Sequence, residues 1–161
     1  MKYFTINELC WSETASKHKI KNTPTEEIKE HLSELVENVL DPLREAWGGP
    51  IIVSSGYRCP ELNKKVGGSK TSSHMSGYAV DLVPENSEIE RFFNFVKNSF
   101  LLKESYEFDQ LIDEYSGEKH WVHIGYKNNK GEQRRQIKKY EDGKYYILIS
   151  DEEENNETIK E

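Results

Sequence analysis

Cysteine is scarce in this chain, with Cys10 and Cys59 alone among 161 residues. Two cysteines so far apart make no disulfide framework and lack the C-x-x-C spacing of a zinc knuckle, so both read as unpaired and structural. Long apolar runs are missing too, and none approaches the roughly 20 residues that a membrane helix requires. The opening segment MKYFTINELCW has no apolar h-region. It therefore predicts no secretory leader and a product that is cytoplasmic as synthesised, so that any action outside the cytoplasm would need release by other means. Positive charge is in deficit: 22 Lys and Arg against 29 Asp and Glu give a formal net charge of -7. That sign disfavours a general nucleic-acid binder, whose phosphate contacts need a basic surface. The basic stretch from Lys127 to Lys139, with Lys130, Arg134, Arg135 and Lys138, reads as a solvated loop or strand edge.

What is present suits one modest domain. The hydrophobic fraction of 35% is lean and the charged fraction of 32% is rich, while 11% aromatics argue against wholesale disorder. Thr5-Ile6-Asn7-Glu8 is a capping box that opens a short helix or turn. A second box, Thr23-Pro24-Thr25-Glu26, precedes Ile28, Leu32, Leu35, Val36, Val39, Leu40, Leu43 and Trp47, which recur at helical steps. Pro42 should kink this helix and Gly48-Gly49-Pro50 should stop it. Ile51 to Ser55 reads as a buried strand, Gly56 to Ser73 as an irregular loop, and Tyr78 to Val83 as a strand ended by Pro84. A helix is predicted from about Ser87 to Phe100. Strands are predicted at Phe108 to Ile112, Trp121 to Tyr126 and Tyr145 to Ile149. Helices first, then strands with one helix between them, predict an α+β fold with a mainly antiparallel sheet. Residues 1–150 would form the domain and 151–161 an acidic, disordered tail.

Three residues stand out as metal donors. His74 ends the glycine-rich loop, Asp81 lies on the strand after it, and His123 comes from a later strand. Imidazole nitrogen and carboxylate oxygen suit zinc when thiolates are absent, and a catalytic site uses three protein ligands plus water. Gly77 lets the backbone turn sharply between the first two ligands. His18, in a lysine-rich stretch, and His31, off the main apolar stripe, are not assigned to the metal.

The segment Ser72-x-His74-x-x-Gly77-x-Ala79-x-Asp81, followed by Trp121-Val122-His123, resembles the zinc D-alanyl-D-alanine carboxypeptidase family, peptidase family M15. That group includes vancomycin-resistance dipeptidases and phage endolysin L-alanyl-D-glutamate endopeptidases. The resemblance extends to Ser54-Ser55-Gly56-Tyr57-Arg58, Leu62-Asn63, Val66-Gly67-Gly68-Ser69, Asp41-Pro42-Leu43-Arg44 and Asp109-Gln110-Leu111-Ile112. It implies a Hedgehog/DD-peptidase-like fold, with N-terminal helices packed on the sheet. It also implies zinc held by His74, Asp81 and His123, Arg58 at the oxyanion, and Ser72 and Gln110 at the substrate. In the dipeptidases and several endolysins of that family an acidic residue lies three positions before the last histidine ligand. Here that position is His120, taken as the general base with Glu118 as its rival. Residues three apart on a regular strand face opposite ways, so His120 reaches the metal only from a turn. The function implied is hydrolysis of a peptide bond in peptidoglycan stem peptides by a monomeric enzyme, as for a phage or prophage lysin, with no nucleic-acid or membrane partner. The alternative is a non-catalytic zinc module of the same fold, as in Hedgehog signalling domains, since fold alone does not settle activity.

Overall fold

Two short helices open the chain, α1 (Ile6–Cys10) and α2 (Glu13–Lys17). The Thr5 hydroxyl caps α1 by accepting from the Glu8 amide at 3.1 Å, as the box predicts. The computed structural model describes residues 1–149, so the acidic tail expected from Asp151 onward lies outside the described residues. The long apolar stripe forms α3 (Glu26–Leu35), a π-helical turn (Val36–Leu40) and α4 (Asp41–Trp47) in one continuous path. Its N-cap is Thr25 and not Thr23, with the Thr25 hydroxyl accepting from the Ile28 amide at 3.2 Å. That choice puts Glu26 and Glu27 in the first turn, where the helix dipole favours negative charge.

Pro42 acts one turn earlier than a simple kink would. Its ring has no N–H to give the preceding turn, and the helix widens there, so that the Asp41 amide bonds the Val36 carbonyl five residues back. Gly48 then ends α4 in the left-handed conformation at φ 80°.

The sheet has six strands in the order β1-β2-β4-β3-β5-β6. They are β1 (Ile51–Ser55), β2 (Ala79–Pro84), β3 (Gln110–Ser116), β4 (Lys119–Gly125), β5 (Gln136–Glu141) and β6 (Lys144–Ile149). Every pairing is antiparallel except β3 with β5. The α+β expectation is therefore met. The predicted irregular loop after β1 needs correcting, because it contains α5 (Pro60–Lys65) and a 3₁₀ turn (Ser73–Ser76). Pro60 suits the first helical position, and the Cys59 sulfur accepts from the Leu62 amide to cap it. Strand β5 emerges from the basic stretch read as a solvated loop or strand edge.

Alternation divides the sheet cleanly. Val80, Leu82, Leu111, Val122, Ile124 and Ile137 share one face, all fully buried with Leu32, Leu35, Phe92 and Val96 from the helices. Phe92 belongs to α6 (Ile89–Asn94), which continues as a π-helical segment (Phe95–Leu102). Full burial of each Leu or Phe contributes about 1.5–3 kcal/mol, so this face anchors the sheet. The other face carries Asp81, Ile112, Glu114, Trp121 and His123. No helix among the described residues is long and apolar enough to cross a membrane.

Candidate metal centre

Local geometry brings His74 to Asp81. The Ser72 hydroxyl accepts from the His74 amide at 3.2 Å and starts the 3₁₀ turn, and Gly77 ends it at φ 79°. A Cβ at Gly77 would also lie 3.0 Å from Ile28 Cγ2 and 3.1 Å from the Ile28 carbonyl, so α3 packs directly against this turn. His31 secures the same turn through a 2.7 Å contact between its Nδ1 and the Ser76 carbonyl. His31 thus has a structural use, and no metal is assigned to it. His123 is the direct cross-strand neighbour of Asp81, β4 lying beside β2.

The three side chains converge. His123 Nδ1 lies 2.9 Å and His74 Nε2 3.3 Å from the same oxygen, Asp81 Oδ1. One donor atom from each lies within 4.8 Å of the others, a group that could hold a metal ion. The far side of His74 explains how. Its Nδ1 sits 2.7 Å from the Gly56 carbonyl, which can only accept, so Nδ1 carries the proton and Nε2 offers a lone pair. That lone pair faces a carboxylate oxygen. Two lone pairs at this separation repel unless a cation or a further proton lies between them. Two imidazoles and a carboxylate fit a borderline cation such as zinc.

Gly56 places that carbonyl. A Cβ there would fall 2.0 Å from the Leu9 carbonyl oxygen, so only glycine lets the chain pass the end of α1. The adjacent Tyr57 amide donates to the same Leu9 oxygen at 2.7 Å.

Charge follows from this packing. Burial opposes ionisation of Asp81, but the His74 and His123 imidazoles outweigh it and hold the carboxyl far below its usual range. Burial lowers His74 below its ordinary value. Burial would also lower His123, yet its hydrogen bond to Asp81 and that residue's charge keep it raised. Arg58 is pulled down by burial and back up by Asp81 and Glu114, so its guanidinium lies in the field of both. Its backbone amide donates to the His74 carbonyl at 3.1 Å and its Nη2 to the Ser72 hydroxyl at 3.3 Å. Arg58 Nε and Trp121 Nε1 are buried donors with no protein partner.

The sequence-predicted base is elsewhere. β4 begins at Lys119, which puts His120 within the strand and on the face opposite His123. His120 Nε2 lies 2.5 Å from Asp113 Oδ1, and its ring stacks on Tyr115 at 3.9 Å between centroids. It lines a cleft of about 830 Å³ with Ser87, Glu88, Arg91 and Tyr115, away from the metal residues. Glu118 is exposed in the β3–β4 turn. Neither reaches the donor set. Gln110 shares the metal-facing side of β3, and its Nε2 donates to Gln136 Oε1 at 3.2 Å.

A different carboxylate lies beside His123. Glu114 lies two residues beyond Ile112 on β3, and its Oε1 is 3.9 Å from His123 Nδ1. Its side chain is 19% exposed. Burial pushes the carboxyl up to about 7, with His123 and Arg58 pulling down and Asp81 pushing up. The sequence did hold a signal for it. A two-residue turn at Gly117-Glu118 sets Ile112 opposite His123 and Glu114 opposite Trp121.

The His–Asp–His group could hold a metal ion, and Arg58 and Glu114 lie within its electrostatic field. A family model described as Peptidase M15 matches residues 2–125, and the chain belongs to that family. A search of curated proteins returned no significant match. The matched region ends with β4, so the β5–β6 hairpin lies beyond it.

Proposed function

We propose that this protein is a zinc peptidase that cleaves a peptide bond in the stem peptides of bacterial peptidoglycan. The observation that carries the proposal is the meeting of His74, Asp81 and His123 around one point, with Glu114 on the same sheet face. When bound, zinc would polarise the scissile carbonyl and make a nearby water easier to deprotonate. Glu114 is the general base: it accepts a proton from the attacking water and returns it to the departing amine. Arg58 donates to the oxygen on which negative charge develops, a contribution that is often the largest in such reactions. Ser72 holds the guanidinium and offers its hydroxyl to the polar end of the substrate. The peptidoglycan assignment is supported by the S-x-H-x-x-G-x-A-x-D and W-x-H pattern that this chain shares with cell-wall carboxypeptidases and endolysins.

The test uses zinc-loaded protein and purified bacterial walls. New amino groups should appear between pH 5 and 9, and mass spectrometry of a defined muropeptide should locate the cut. Asp81→Ala should lose both the zinc and the release. Folded protein carrying one zinc, yet releasing no amino groups at any of these pH values, would instead be a zinc-binding module without peptidase activity.

A further inference from the structure

The face that carries the metal residues does not end at β3. Across the sheet, Glu114 pairs with Tyr140 on β5, and Tyr140 pairs with Tyr145 on β6. Ile112 pairs with Lys138, and Lys138 with Ile147. Directly paired residues project from the same side of a sheet, so these side chains extend the floor of the site outward from Glu114. Tyr145 is 60% exposed and Ile147 61%, an unusual exposure for large apolar groups beside a catalytic face. The Tyr140 and Tyr145 rings meet at 4.8 Å between centroids and 54° between planes, and Lys138 Nζ stands 5.4 Å over the Tyr145 ring. The hairpin holding them lies wholly outside the matched residues 2–125.

We infer that Tyr140 and Tyr145 on the β5–β6 hairpin form a subsite for an N-acetylated sugar of the peptidoglycan glycan strand, next to the peptide-cleaving centre. The inference rests on the proposed peptidase function and names the part of the substrate that this surface takes. A pyranose ring has an apolar C–H face and a hydroxyl edge, and tyrosine offers the matching apolar face and polar tip. Lys138 adds ammonium donors for hydroxyl or acyl oxygens. A stem peptide, with its several carboxylates, would call for a cation cluster, and on this face the hairpin supplies the single amine of Lys138 among Tyr140, Tyr145 and Ile147. Reach agrees. Adjacent strands lie about 4.8 Å apart, so Tyr145 stands roughly 10 Å from Glu114 across two spacings. An extended peptide covers that span in about three residues. The bond cleaved should accordingly fall within the first few residues from the sugar.

The experiment compares kcat/KM on a stem peptide attached to its disaccharide with that on the same peptide free of sugar. For the zinc-loaded wild type, the ratio should favour the sugar-linked substrate. Tyr145→Ala and Tyr140→Ala should each reduce that ratio, and the double variant should reduce it about tenfold. Tyr145→Trp, which keeps a stacking face, should retain it. Thermal melts of each variant report folding separately. The disaccharide alone, titrated into the protein and followed by NMR, should shift resonances of the hairpin tyrosines. An unchanged ratio in the double variant, or no shifts at millimolar disaccharide, overturns the inference. So does a change of oligomeric state in the alanine variants, since it would make the hairpin a contact between copies of the chain. If the wild type cuts neither substrate but binds the disaccharide through Tyr145, the peptidase proposal fails and the sugar subsite stands.

Discussion

Arg134 should be worth far more to the fold than a surface arginine. Its partner Asp109 has a side chain only 1% exposed. The carboxylate accepts from Arg134 Nε at 2.8 Å, from Nη2 at 2.9 Å and from the Arg134 backbone amide at 3.1 Å. Arg134→Ala removes two charged donors and leaves one amide to satisfy a buried charge. Breaking a buried pair in this way costs about 3–5 kcal/mol. Arg134 itself is 39% exposed, so water can enter part of the gap and the lower end, about 3 kcal/mol, is expected. For a chain of this size that lowers Tm by roughly 6–12 °C. Urea or thermal unfolding of wild type, Arg134→Ala, Asp109→Asn and the double variant closes a double-mutant cycle. The double variant should lose less than the sum of the two singles, because the charge needing compensation is gone. A loss below about 1 kcal/mol in Arg134→Ala would place the pair among exposed ion pairs and refute the reasoning.

Three further outcomes follow from the site and its supports. Glu114→Gln should lower kcat by about 10²–10⁴ while zinc content stays at the wild-type level, and full turnover would remove Glu114 from the chemistry. Gly56→Ala drives a methyl into the Leu9 backbone and displaces the carbonyl that holds the His74 tautomer. It should cost stability and weaken zinc affinity by about 10–100-fold in a chelator competition, and wild-type affinity would show that the Gly56 contact is dispensable. Burial pushes the Cys10 thiol up to about 11, so in a Cys59→Ser background its alkylation should be slow at pH 8 and climb steadily towards pH 11. A rate that levels off near pH 9 would contradict that burial.

Much of the fold was legible because periodicity and punctuation agreed. The stripe from Ile28 to Trp47, the β-branched run at Ile51 to Ser55, and the Gly48 stop each carry a local cause that tertiary packing did not override. The misses were places where no local pattern decides. Strand β5 reads as polar and basic along Gln136–Glu141, since only Ile137 is buried, and it is a strand because its backbone completes β3 in parallel. Helix α5 hides in a stretch rich in Gly, Ser and Lys, and its evidence was the Cys59-Pro60 start. The π-helical turn before Pro42 depends on how the chain relieves a missing N–H, which the proline announces without saying where.

The site shows the same division between local motif and sheet register. His74 and Asp81 come together through one short segment, and His123 joins them because β4 pairs with β2, so the motif and the pairing reinforce each other. The position of Glu114 depends on the hairpin alone. With the turn at Gly117-Glu118, paired residues run 116 with 119, 114 with 121 and 112 with 123. The side chains of one strand alternate between faces, so position 120 lies on the helix-covered face whenever position 123 lies on the metal face. A carboxylate meant to approach His123 from the neighbouring strand must therefore be at 112, 114 or 110. Of these only 114 is acidic. Spacing along one strand pointed to His120, whereas register across two strands brings Glu114 to the metal face, and the 3.9 Å separation from His123 is the consequence. A two-residue shift of the turn would keep the parity and slide Glu114 along β4. A one-residue shift would turn Glu114 to the helix-covered face and bring Asp113 to the metal face in its stead.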